Sequence, residues 1–388
     1  MKISLRFMGN WNAKKIAICI LMIAGAGFYS FGQRFEWTAD AYTFMDNQSF
    51  GGSPYSTRTI MSGFRISPEI GLSWDEGQHR IMIGSHLMKE FGTTNYLDRI
   101  NFTGYYEYKK KGGNLRNHLL FGAFPREGLL DNYSGLFFCD SIRYYRPNLN
   151  GIFWQLGGRN NHINIWVDWV GAQSSTQRES FLIGLSGEQR WKWLFVDLQS
   201  YSYFYYLYPI LNEVPTAILE QDLQAKASVG VDFSKSFKHL NKLRFSVGAM
   251  GGIQKTAKNF SSTYYPIGLV LDLNAEFWYV GTRTTYYYGK PVLRNETPGI
   301  IQWSNPFLYG NHYLETEWYI PFFRNDLLTA EASATFHITD NKCFFQQQIS
   351  LKVNLDRDKL PLKRHFKKKY QPEPPKDEPL PQEPPKAL

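Results

Sequence analysis

The stretch Leu223–Ser234 reads LQAKASVGVDFS. Leu223, Ala225, Ala227, Val229, Val231 and Phe233 fall at every second position, with Gln224, Lys226, Ser228, Asp232 and Ser234 between them. Side chains of a strand point alternately to its two faces, so this pattern describes a strand with one apolar and one polar face. The same period recurs in LTAEASATFHI (Leu328–Ile338), where Leu328, Ala330, Ala332, Ala334, Phe336 and Ile338 oppose Thr329, Glu331, Ser333, Thr335 and His337. It recurs again from Arg34, from Phe64, from Leu243, from Leu269 and from Ile349. Ten or more residues of strict alternation exceed the usual strand of a soluble domain and match a tilted strand that crosses a bilayer.

Sixteen such segments are predicted, at 34–45, 61–74, 79–90, 99–109, 115–124, 151–158, 162–171, 180–187, 191–205, 221–234, 242–254, 266–279, 281–289, 311–321, 327–338 and 343–355, with fourteen as the alternative count. The connections sort by parity. One set is short, such as Asp75–Gln78 and Glu188–Arg190; the other is mostly long, such as Asn47–Ile60 and Pro125–Asn150. Short turns on the periplasmic side and long loops outside are the habit of transmembrane barrels. The expected fold class is therefore all-β, a transmembrane antiparallel β-barrel. Pro68 falls inside the second strand, where it is expected to force a bulge or a break. Tyr203, Phe204, Tyr205, Tyr264, Tyr265 and Tyr286–Tyr288 are expected in an aromatic girdle at the outer rim. Tyr106, Tyr108, Trp191, Trp193, Trp278 and Tyr319 are expected at the periplasmic one.

Three segments are expected. Residues 1–32 read as a secretory signal: Lys2, Arg6, Lys14 and Lys15 precede the apolar run Ile16–Phe28, and the small residues Ser30 and Gly32 place cleavage before Gln33. Residues 33–355 form the barrel. Residues 356–388 form a basic, then proline-rich tail that is expected to be disordered and extended in the periplasm. The net charge of +9 is concentrated at the two ends: nine Lys/Arg stand against six Asp/Glu from Asp356 onward, and the body Gln33–Leu355 is near +2. That distribution describes no nucleic-acid-binding face. Cys139 and Cys343 lie in no metal-ligand or redox spacing, and whether they pair is open.

Catalytic signatures are absent: GLSGE (Gly184–Glu188) lacks the last glycine of a nucleophile elbow, and there is no HExxH or P-loop. The sequence is therefore read as a non-enzyme without catalytic residues, cofactor or metal. Inward-facing positions are assigned to Glu36, Asp40, Arg65, Glu69, Arg244, Asp272, Glu276, Glu315, Glu317 and Glu331. The longest outer loop, Pro125–Asn150, is expected to fold into the lumen, with Arg126, Glu127, Asp131, Asp140, Arg143 and Arg146 lining a constriction.

On RFEWTADAYTF (34–44), SPEIGLSW (67–74), FGAFPREGLL (121–130), DSIRYYRPNLNG (140–151), WVDWVGAQ (166–173) and FFQQQISLKVNL (344–355), the chain resembles the outer-membrane β-barrels of the Bacteroidetes, in the broad porin-like class. The resemblance implies a Gram-negative outer membrane and passive transport, with the C-terminus in the periplasm. The expected function is a porin-like channel for small hydrophilic solutes. A plugged barrel acting as a surface or envelope-tethering scaffold is the alternative, and a barrel hydrolase with His312 the third reading. Expected partners are outer-membrane lipid and small solutes, with peptidoglycan or a periplasmic protein for the tail.

Overall fold

The computed structural model describes residues 32–359, apart from 57, 111–115, 159–160, 174–178, 208–217, 235, 237, 256–262, 293–302 and 340. The signal segment and the tail from residue 360 lie outside the described residues.

Sixteen antiparallel strands close into one barrel. They are β1 (Arg34–Ser49), β2 (Thr59–Trp74), β3 (His79–Glu90), β4 (Arg99–Lys110), β5 (Asn117–Pro125), β6 (Asn148–Gly157), β7 (His162–Gly171) and β8 (Ser180–Trp191), then β9 (Leu194–Leu207), β10 (Ile218–Asp232), β11 (Leu240–Lys255), β12 (Ile267–Phe277), β13 (Val280–Gly289), β14 (His312–Arg324), β15 (Leu328–Thr339) and β16 (Lys342–Asp356). Each strand pairs with its sequence neighbours, and β1 closes on β16 from Thr38↔Asp356 to Ser49↔Phe345. The count of sixteen is the one the alternation predicts.

The first residue of β1 and the last of β16 lie at one rim, here the terminal rim; the long connections gather at the other, the loop rim. The turns of the terminal rim are tight because residues there accept a left-handed backbone: Asp75, Glu76, Lys192, His239 and Trp278 all have positive φ.

The two faces of the wall explain the alternation. Ile70, Ile83, Phe102, Phe121, Val229, Leu269 and Ile349 are exposed on the outside. Glu69, Thr103, Asn164, Ser186, Gln199, Lys226 and Gln346 are buried on the inside. A soluble barrel has the reverse arrangement; an apolar outer wall closed without an edge is what lipid requires. Arg244, Asp272, Glu276, Glu315, Glu317 and Glu331 line the central cavity, Asp40 and Arg65 line a smaller one, and Glu36 and Glu69 are buried in hydrogen bonds with Ser73 and Tyr105.

Pro68 does not break β2. The pairing of β2 with β3 runs in one register from Gly63↔Glu90 to Trp74↔His79 and skips only Ser67 and Pro68. Side chains bridge the gap instead: His86 Nδ1 and Ser67 Oγ are 2.6 Å apart. The bulge expected at a proline occurs at Pro321 on β14, where the register slips before Phe323.

Part of the expected aromatic girdle turns inward. Tyr203 and Tyr205 share the parity of Asp197 and Gln199, and with Tyr201, Tyr287 and Tyr313 they are buried inside the barrel. Tyr319 is also inside, its hydroxyl donating to Glu276. Trp191, Trp193, Trp278, Tyr265 and Tyr288 remain exposed at the rims.

Candidate functional site: a strapped lumen

The segment between β5 and β6 folds into the barrel and crosses it as a strap. At its base, Arg126 N donates to Pro147 O, closing the segment into a loop. Arg126 pairs with the fully buried Asp168 of β7 and also donates to the carbonyls of Arg146 and Asn148. Glu127, the next residue, pairs with Lys352 of β16 across the lumen. The strap is thus tied to two walls by two consecutive residues of opposite charge.

Farther along, the strap grips the β7–β9 wall. Tyr133 donates to Ser200 O at 2.9 Å and accepts from Trp166 Nε1 at 3.0 Å. Gln199 donates to Asn132 O and accepts from Ser134 N. The ring of Trp166 lies over Gly184, where a Cβ would fall 2.1 Å from it, so only glycine admits the ring. Burial pushes the Tyr133 hydroxyl above its ordinary pKa, which keeps it a proton donor.

A short helix, α1 (Asp140–Tyr145), then reaches the β16–β1–β2 wall. Gln346 donates to Asp140 Oδ2 and Asp46 Oδ1, both at 2.8 Å, and Tyr144 donates to Asp46 Oδ2 at 3.3 Å. Burial, then the carboxylates of Asp140 and Asp46, push the Tyr144 hydroxyl well above its usual range, so it too stays a donor. Tyr144 stacks on Phe44 with ring centroids 4.0 Å apart.

A second loop, between β13 and β14, packs on the strap. Cys139 N donates to Trp303 O and Asn305 N to Leu136 O. Its 3₁₀ turn (Pro306–Tyr309) inserts Phe307 beside Tyr313 and His337, at 5.3 and 4.8 Å between ring centroids. Leu130, Leu136, Phe137, Ile142, Trp303, Phe307 and Leu308 join the inward aromatics of the wall in one apolar cluster. An apolar core inside a membrane barrel marks a packed plug, since a solvated lumen offers nothing to bury against.

The plug leaves open a cavity of about 2180 Å³. Its lining reaches from Arg116, Arg190, Lys242 and Arg324 near the terminal rim to Ser53, Tyr55 and Tyr309 at the loop rim. The wall charges below the plug are cross-linked. Arg244 pairs with Glu188, Arg190 with Glu188 and Asp232, Lys226 with Asp272, Arg283 with Glu317 and Glu331, and Arg324 with Glu276. A second cavity, of about 230 Å³, lies between the strap base and the β1–β3 wall.

Of the six strap residues singled out by sequence, Asp131, Asp140 and Arg143 line the large cavity and Glu127 the small one, which Asp131 also borders. Arg126 and Arg146 line neither; both guanidinium groups lie over the Trp303 ring, at 5.6 and 5.7 Å, and hold the two loops together. His312 is exposed at the loop rim and stacks on Tyr288. Cys139 and Cys343 form no disulfide. Among the described residues no group of three His, Cys, Asp or Glu could hold a metal ion. Sequence reading missed the pair Ser67–His86, both buried and both lining the small cavity. The residues lie on neighbouring strands and form no contiguous motif; only the β2–β3 register brings them together.

No curated protein matches the chain. Similar solved structures are a loop-deletion mutant of OmpT from Vibrio cholerae (10% identity, 84% of this chain and 100% of that one, TM-score 0.49) and OprD from Pseudomonas aeruginosa (9%, 83% and 95%, 0.47). OmpF of Salmonella typhi with daunomycin is another (10%, 84% and 98%, 0.45). At these scores the likenesses add nothing to what the strand pairing itself establishes: a β-barrel of the kind that occupies outer membranes. The model of the Lipid A 3'-O-deacylase-type family matches residues 32–358. That match corrects the expectation of a non-enzyme, because the family is by its name one of enzymes; in a barrel, catalytic groups come from separate strands and leave no motif to read. With nearly the whole barrel covered, this chain belongs to the Lipid A 3'-O-deacylase-type family.

Proposed function

We propose that the barrel is a passage for small hydrophilic solutes, set in the outer membrane of a Bacteroidetes-like bacterium with the terminal rim facing the periplasm. The observation that carries this reading is the large cavity, whose lining extends from one rim to the other past the strap. Its lining carries charges of both signs, many of them paired with each other, which favours a wet lumen without a strong preference for one sign of ion. Asp131, Asp140 and Arg143, on the strap, would border the narrowest part. The test is ion conductance of the refolded protein in a planar bilayer. Stable steps are expected; a folded, inserted barrel that carries no current would replace the passage with a plugged scaffold.

One observation favours a second activity in the same molecule, hydrolysis of an acyl ester as the family name suggests. Ser67 Oγ lies 2.6 Å from His86 Nδ1, the contact of a nucleophile with its base. Both residues are buried on the inner face, and His86 Nε2 makes no hydrogen bond among the described residues. Release of fatty acid from lipid A by the parent, and its loss in Ser67→Ala and His86→Ala, would support this reading; release unaffected by both changes would remove these residues from it.

A further inference from the structure

The small cavity between the strap base and the β1–β3 wall is lined by Asp40, Tyr42, Arg65, Ser67, His86 and, from the strap and β16, Glu127, Asp131 and Lys352. Most of its charges are accounted for. Glu127 pairs with Lys352, and Asp131 accepts from Gly128 N at the turn of the strap. Two are not. Arg65 is buried, yet its Nη1 reaches only the carbonyl oxygens of Arg143 and Tyr144, at 3.4 and 3.5 Å, and its Nε has no partner. Its guanidinium lies 5.2 Å over the Tyr42 ring and makes no ion pair with a carboxylate. Asp40 forms no hydrogen bond or ion pair among the described residues, and it makes none with Arg65.

The register sets the spacing of these charges. Asp40 stands opposite Ser67, and Tyr42 opposite Arg65, so Asp40 and Arg65 are diagonal neighbours on one face, about 7–8 Å apart between backbones. A buried charge without a counter-ion is costly, and a ligand that supplies the counter-ion relieves that cost. Here a cation and an anion on the same wall of a single cavity each lack a hydrogen-bonded counter-ion, and they form no ion pair with each other. His86 Nε2, without a partner, adds a hydrogen-bonding group to the same lining.

We propose that this cavity binds a small zwitterion of the amino-acid class, with its carboxylate on Arg65, its ammonium on Asp40 and its backbone over Ser67 and His86. One carbon separates the carboxylate and the ammonium of an α-amino acid, so the molecule presents opposite charges to two neighbouring side chains of opposite sign at once. The volume of about 230 Å³ admits a molecule of that size and excludes a drug-sized one. The site goes beyond the passage reading and does not depend on it, because binding is measured without a membrane gradient.

The experiment is equilibrium dialysis of the refolded, detergent-solubilised barrel against radiolabelled L-alanine, with propionate and ethylamine as competitors. Saturable binding is expected, weakened tenfold or more by Asp40→Asn and by Arg65→Gln, and not displaced by either competitor at equal concentration. Arg65→Lys keeps the charge and should retain binding within about threefold, which covers the case where Arg65→Gln does not fold. Absence of saturable binding, equal binding by the Asp40 and Arg65 variants, or displacement by propionate as effective as by unlabelled alanine would each overturn the proposal.

Discussion

Asp168→Ala should release the strap while leaving the barrel closed. Asp168 is fully buried on β7 and holds two groups at once: the Arg126 guanidinium and, at 2.9 Å, the amide of Asn150. Removing one member of a buried ion pair costs about 3–5 kcal/mol if the other charge stays where it is. The strap has an alternative that the wall lacks, because Arg126 is in the loop and can carry its charge into water by leaving. The cost therefore falls on the docked state of the strap. At 1.4 kcal/mol for each factor of ten, the released population should rise roughly a hundredfold to a few thousandfold. Trypsin reads that population at Arg143, whose peptide bond lies in α1 against the wall; when opening is fast, cleavage follows the open fraction. Asp168→Asn keeps an acceptor for the Asn150 amide and should have a smaller effect. A cleavage rate in Asp168→Ala within threefold of the parent, in a barrel that still shows folded gel mobility, would refute the assignment of Arg126–Asp168 as the anchor.

Further outcomes follow from the same contacts. Phe307→Ala removes a buried ring packed beside Tyr313 and His337 and should weaken docking of the 3₁₀ turn by about 3–5 kcal/mol, read as faster hydrogen exchange of the Leu308 amide. Burial pushes the Cys139 thiol pKa up, whereas Cys343 is exposed on the outer face, so a water-soluble maleimide should label Cys343 first at neutral pH. In the loop between β3 and β4, burial opposes ionisation of Asp98, but hydrogen bonds from the Glu90 amide, Thr93, Asn95 and Lys89 outweigh it and lower its pKa to about 2 from 3.8. Because the folded value is depressed, the contribution is complete above pH 4 and is lost as the pH falls through 2. Exchange protection of the Glu90 amide should therefore hold at pH 4 and collapse below pH 2; protection lost already at pH 4 would contradict the assignment.

The wall of the barrel is legible because one physical demand, apolar toward lipid and polar toward the lumen, repeats at every second residue along strand after strand. What was misread follows from a second demand superimposed on it. Tyr203 and Tyr205 are inward by parity with Asp197 and Gln199, yet their residue type points to a membrane girdle, and the parity wins. Their burial depends on a plug contributed by two distant loops, which period-two reading does not address. Pro68 was misjudged because the cost of a missing ladder bond is local; the Ser67–His86 contact offsets it from the next strand, and that partner is identifiable only once the register is known. The inward placement of the strap could be guessed from its length, but Arg126 and Arg146 were assigned to the lumen when their stacking on Trp303 makes them fasteners.

The seam between β1 and β16 joins the beginning of the barrel to its end, as in the hydrogen bond from Gln346 to Asp46, 300 positions apart. Until that seam forms the sheet has two open edges, whose long strands expose unpaired amides and carbonyls that would template any passing strand. Assembly is consequently all-or-none with respect to chain length: a polypeptide cut short before β16 leaves β1 and β15 as open borders rather than yielding a slightly smaller barrel. The last strand to be synthesised is the one that makes every earlier strand safe from aggregation, so the time between synthesis of β1 and arrival of β16 is when this chain most needs a chaperone.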